Sequence, residues 1–166
     1  LSKPAMSITG SGAHGIITTL PILAECRVKG LSDEKLIRAT MLSYLICTYI
    51  KEYSGRLSAF CGCGIAGGTG AACAIGYLRG AELEEITNII NNMAAGITGM
   101  ICDGAKASCA AKIAAAVDAG ILGYYMYING QQFYGGDGIV KKGVENTINN
   151  IGRLAHEGMR ETDKEI

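Results

Sequence analysis

The chain has 166 residues, enough for one domain with a buried core. Lysine plus arginine equals aspartate plus glutamate at 15 each, so the basic footprint that a phosphate backbone demands is missing and no nucleic-acid partner is expected. Apolar residues make up 49% and aromatics only 6%, with no Trp and two Phe, so the core must be filled by Ala, Ile, Leu, Val, Met and Cys. Glycine is frequent at 24 and proline scarce at 2. That combination argues against disorder and for close backbone packing. Leu1 is not an initiator Met, which suggests processing or a piece of something longer. No secretion signal opens the chain. The cysteines number seven, an odd count. They are therefore expected as thiols of a reducing cytoplasm rather than as a disulfide framework.

In chain order, a glycine-rich turn around Gly10-Ser11-Gly12-Ala13-His14-Gly15 comes first. Residues 16–28 are apolar, and Pro21 is expected to open or kink a helix there. Ser32 is placed to cap a helix that carries Asp33 and Glu34 in its first turn. Leu36, Ile37, Met41, Tyr44, Leu45 and Thr48 follow at helical spacing. Residues 59–78 hold no charge. Their six glycines, with no aromatic belt or flanking positive cluster, favour a buried central helix over a membrane span. Residues 82–93 form another helix, with Leu83, Ile86, Ile89, Ile90 and Met93 on one face. Asp103 precedes a helix expected over 105–119, and Asp137 a last, outer, amphipathic helix expected over about 138–162. Gly30, Gly55, Gly80 and Gly99 are expected as left-handed caps, and Gly130 with Gly135-Gly136 as a loop. The whole of 1–166 thus reads as one all-α domain. It is a compact bundle of about six helices with glycine- and alanine-rich central helices, and no strand alternation is seen.

Cys26, Cys47 and Cys73 lie inside apolar helix patterns and read as space-filling thiols. Cys61-Gly62-Cys63 and the pair Cys102 and Cys109 stand apart. Cys102 falls just before an expected helix N-terminus and Cys109 about two turns in, where a helix dipole favours the thiolate that a soft metal or cluster needs. The spacings match neither zinc fingers nor ferredoxin runs. Walker and dinucleotide-binding glycine patterns are absent. Arg56 and Lys106 flank the cysteine motifs. A guanidinium fork suits a carboxylate, and Lys106 is also a candidate for proton transfer. His14 sits in the glycine-rich turn. His156, on a polar helix face, reads as a surface or capping group.

The segments Gly10-Ser11-Gly12-Ala13-His14-Gly15-Ile16, Leu57-Ser58-Ala59-Phe60-Cys61-Gly62-Cys63-Gly64 and Gly99-Met100-Ile101-Cys102-Asp103-Gly104-Ala105-Lys106 resemble the alpha domain of iron–sulfur L-serine dehydratases. So do Gly135-Gly136-Asp137-Gly138-Ile139-Val140 and the stretch 150–159. The likeness is greatest to the branch that includes L-cysteine desulfidase. It runs through nearly all of the chain, and Cys-Asp-Gly-Ala-Lys is its most specific motif.

The resemblance implies a [4Fe–4S] cluster held by three cysteines with one iron left open. Cys102 and Cys109 match two ligand positions, and the third falls in Cys61-Gly62-Cys63, with Cys61 ahead of Cys63. It implies a lyase that eliminates the β-substituent of L-cysteine or L-serine, the open iron acting as Lewis acid on the leaving group. It implies that Gly12, Ala13 and His14 touch substrate and that His14 acts in catalysis; this chain has Ala13 where the family usually has Asn. The partners implied are a small amino-acid substrate, a further copy of the chain in a homo-oligomer, and an N-terminal portion, since family members are considerably longer. A helical module without catalysis is the rival reading, and a structural zinc site a weaker one.

Overall fold

The computed structural model describes residues 4–165, and it is all-helical among them. Six helices have ten residues or more: α2 (Leu20–Lys29), α3 (Asp33–Ser54), α4 (Gly68–Leu78), α5 (Leu83–Ile97), α6 (Ser108–Ile128) and α7 (Val144–Arg153). Short α1 (Gly12–Ile17) and α8 (Thr162–Glu165) flank them. Two π-helical turns, Cys63–Gly67 and Leu154–Gly158, lead into α4 and extend α7. Among the described residues no helix is long and apolar enough to cross a membrane.

The centre is α4, where every residue of Gly68–Leu78 but Tyr77 is buried. Its small side chains let neighbouring helices approach backbone to backbone. A Cβ on Gly70 would stand 2.5 Å from the carbonyl oxygen of Ser43 on α3, and one on Gly120 of α6 would stand 2.6 Å from the Cβ of Ala72. This reverses the face expected of α3. Ile37 and Leu45 are each 63% exposed, and Met41 is also exposed. The row turned inward is Ala39, Ser43, Cys47 and Lys51, with Ile50 and Ser54. Shape decides: a glycine-lined groove accepts the small row closely and the large one not at all.

Several boundaries follow the expected chemistry. Ser32 caps α3 through its side chain, accepting from the Lys35 N–H. Glu82 and Glu85 close a capping box on α5. Pro21 opens α2, and Gly30 ends it in the left-handed region. Gly55 and Gly80 also have positive φ, whereas Gly99 does not: an ordinary turn there carries the chain out of α5. Two helices start later than expected. Gly104 (φ +89°) breaks the chain before α6, and Gly138 and Gly143, both at positive φ, keep 138–143 out of α7.

Arg79, the residue capping α4, locks α2 and α6 onto it. Its Nε donates to Glu25 at 2.8 Å, and its guanidinium lies over the rings of Tyr124 and Tyr125. The Arg79 hydrogen bond holds the Glu25 carboxyl below its ordinary range, with Lys29 assisting. A carboxyl depressed in the folded state stabilises above its unfolded pKa, and that gain vanishes as pH falls through the folded one. Glu25→Gln is therefore expected to lose about 1–2 kcal/mol at pH 7. Against wild type the difference should shrink as pH falls below the ordinary glutamate value of about 4.3, as urea melts at neutral and acid pH will show.

Candidate active site

Two extended stretches, remote along the chain, are clasped together before the helices begin. The Cys61 N–H donates to the Met100 carbonyl and the Cys102 N–H to the Ala59 carbonyl, each at 2.8 Å. Phe60 and Ile101 thereby face each other as an isolated antiparallel bridge. Cys102 packs against the buried cluster that contains Cys61 and Cys63. Cys109 arrives from α6, in its first turn rather than two turns in, because the loop 103–107 precedes the helix. Its thiol donates to the Gly104 carbonyl at 3.6 Å.

All four cysteines line one cavity of about 240 Å³, together with Ala13, His14, Lys51, Arg56 and Lys112. Clefts for drug-sized ligands start at about 300 Å³, so this one suits a smaller molecule. Of the residues expected from sequence, Cys61, Cys63, Cys102, Cys109, Ala13, His14 and Arg56 meet here. Gly12 and Lys106 are not among the lining residues, and Lys106 is exposed in the loop before α6. His156 lies elsewhere, exposed, with its ring against Gly55.

The thiols differ sharply in character. Cys61 Sγ and Cys63 Sγ are 3.2 Å apart. The Cys63 thiol donates to Cys61, and the Gly64 N–H, Lys112 and the Cys63 N–H also favour the anion, bringing Cys61 down to about 6 against burial. The same bond and burial push Cys63 up. The pair thus offers one thiolate near neutral pH. Burial pushes Cys47 up to about 12 and raises Cys73, so both stay neutral fillers. Among the described residues no three His, Cys, Asp or Glu side chains stand close enough to hold a single metal ion. A cluster asks for something different, since each of its cysteine ligands binds a separate iron.

His14 is 4% exposed, and burial first, then the nearby Lys51 charge, lowers its pKa. Its ring is therefore neutral at pH 7. The hydrogen bonds assign the tautomer. The Thr9 hydroxyl donates to the Ile8 carbonyl at 2.7 Å and so accepts from His14 Nδ1, also at 2.7 Å. Nδ1 itself lies 3.2 Å from the Ile8 carbonyl, which can only accept. The proton is on Nδ1, and Nε2 keeps its lone pair beside Gly62. Thr9 adopts φ +52°, a strained setting for a β-branched residue and the only positive φ outside glycine among the described residues.

Sequence reasoning missed two cations. Lys112 donates to the Ile101 carbonyl at 2.9 Å and pairs with Asp103, bracing the Cys102 loop against α6. Lys51 is one of the inward row of α3, and its position four residues after buried Cys47 was the available signal.

A family model described as "Serine dehydratase alpha chain" matches residues 1–166. A UPF0597 protein of Clostridium botulinum (strain Hall) is 53% identical over 163 residues, covering 98% of this chain and 38% of the relative. Similar proteins of the same name occur in Desulfitobacterium hafniense, 55% identical over 98% of this chain and 38% of the relative, and in Clostridium perfringens, 47% identical over 99% and 39%. The chain thus spans about two fifths of the length of the curated relatives it matches. No solved structure matches significantly. With the whole chain matched and the cysteine motifs gathered about one cavity, this protein belongs to the serine dehydratase alpha chain family.

Proposed function

We propose that the protein containing this chain is a cytoplasmic iron–sulfur lyase that eliminates the β-substituent of L-cysteine or L-serine. Hydrolysis of the resulting 2-aminoacrylate gives pyruvate and ammonia, with sulfide as the co-product from cysteine. The observation that carries this reading is the convergence of four thiols, one of them thiolate-prone, on a cavity that also presents a neutral histidine and three cations. That donor set fits a thiolate-ligated cluster, with Cys61, Cys102 and Cys109 as its holders and Cys63 as hydrogen-bond donor to Cys61. Such a cluster, when bound, supplies an open iron that acts as a Lewis acid toward the leaving hydroxyl or thiol.

The chain's own residues supply the rest. His14 Nε2, unprotonated and aimed past Gly62, is suited to take the α-proton. Thr9 keeps the Nδ1 tautomer and the ring angle fixed. Arg56 stands at the exposed rim, where a guanidinium can guide an incoming carboxylate. Lys106, exposed and off the cavity wall, is a weaker candidate for proton transfer than His14.

Anaerobic treatment of the full-length protein with iron and sulfide is expected to give a broad visible absorbance and sulfide release from L-cysteine. Cys102→Ala should lose both. A colourless wild type without bound iron would overturn the reading, and zinc without sulfide would point to a structural site. An intact cluster with no turnover of cysteine or serine would favour a module without catalysis.

A further inference from the structure

Lys51 is 5% exposed, and among the described residues it has no carboxylate partner and no side-chain hydrogen bond. Its anionic neighbours are the cavity thiols alone, and a buried ammonium that no carboxylate pairs is expensive and persists where function requires it. Lys51 lines the cavity, and its direction is known: a Cβ on Gly62 would lie 3.0 Å from Lys51 Nζ and 2.7 Å from His14 Nε2. The cation and the unprotonated nitrogen therefore both lie against Gly62, side by side on the wall of one cavity. A 2-amino acid presents its carboxylate and its Cα–H one bond apart, a pairing that a neighbouring cation and base on one cavity wall can accept.

Resting on the lyase reading above, we propose that Lys51 receives the substrate's α-carboxylate and so sets Cα before His14 Nε2. When His14 takes the α-proton, the electron pair left on Cα is shared with that carboxylate until it forms the Cα–Cβ double bond and the β-substituent leaves with its own bonding pair. A fixed cation there then faces the charge that develops. Lys51 also sets specificity: a free carboxylate is required, and amides or esters of the same amino acid are rejected. Exposed Arg56 does not share this role, because a charge at the rim is screened by water.

The test uses the full-length protein and two probes that cannot be eliminated, L-alanine and L-alaninamide, which differ only in the carboxylate. By calorimetry the reconstituted wild type should bind L-alanine in clear preference to the amide. Lys51→Met should weaken L-alanine by about ten- to hundredfold, leave the amide unchanged, and keep the visible absorbance. The metal-free Lys51→Met protein should also melt at a higher temperature than wild type, because a buried charge that no carboxylate pairs has been replaced by an apolar chain of similar length. Lys51→Gln provides the same comparison if the Met variant proves insoluble.

Unchanged preference for L-alanine in the variant would overturn the proposal. So would loss of the absorbance, which would assign Lys51 to the thiolates, or a fall in melting temperature, which would assign it a structural partner. A wild type that releases sulfide but shows no preference for the carboxylate sinks this inference alone. One that neither binds L-alanine nor turns over cysteine sinks the lyase reading with it.

Discussion

Gly62→Ala is expected to lower kcat/KM by about a hundredfold or more while the protein stays folded, a magnitude typical of moving a reacting group by an ångström. Gly62 has φ −59° and ψ −35°, ordinary helical values that alanine prefers to glycine. Glycine is thus not needed there for conformation. It is needed for space, because the added Cβ would fall 2.7 Å from His14 Nε2 and 3.0 Å from Lys51 Nζ. Both are ends of side chains and can yield, so the fold survives and the site does not. Melting temperature should stay within a few degrees of wild type, and cluster absorbance should remain. Full activity would show that turnover does not depend on how His14 and Lys51 are set against Gly62.

Gly70→Ala should produce the opposite pattern, a loss of stability whatever the state of the site. Here the Cβ would meet backbone, 2.5 Å from the Ser43 carbonyl oxygen and 3.3 Å from its carbon, where α3 and α4 cross. These are the most extensively packed pair of helices in the bundle. Neither backbone can yield without moving its whole helix, and overpacking of this kind costs about 1–3 kcal/mol. For a domain of this size that lowers the melting temperature by roughly 2–4 °C per kcal/mol. Thermal denaturation of the metal-free protein measures it, and a variant as stable as wild type would show that α3 and α4 are not so tightly apposed.

How much of this the sequence disclosed depends on the physical signal. Helix existence was readable from the 3.6-residue period, and capping chemistry marked the ends at Ser32 and Gly30. Which side of α3 faces inward was not readable, because a hydrophobicity pattern ranks Ile37, Met41 and Leu45 above Ala39, Ser43 and Cys47. The ranking inverts when the partner helix offers glycines rather than a surface for large side chains. The late start of α6 was missed because the alanines at 105 and 107 advertise helix, while Gly104 sits in a conformation that ends it. The cysteine motifs were visible as local patterns. Their meeting was not, since it depends on two hydrogen bonds between segments some forty residues apart in the chain. Lys51 was hidden by habit of reading: a lysine near a helix end looks like a solvated charge until its neighbours at four-residue intervals prove to be buried.

The clasp of Phe60 against Ile101 carries a lesson about tolerance to insertion. Side chains of paired extended segments alternate in direction with every residue. Adding or deleting one residue at 59–61 or 100–102 would swing a cysteine away from the cavity even if every helix kept its place. The 129–142 connection lies off the cavity wall, so a change of length there would not turn a cysteine. Over long spans of descent, the spacing from residue 59 to 64 should be held rigid.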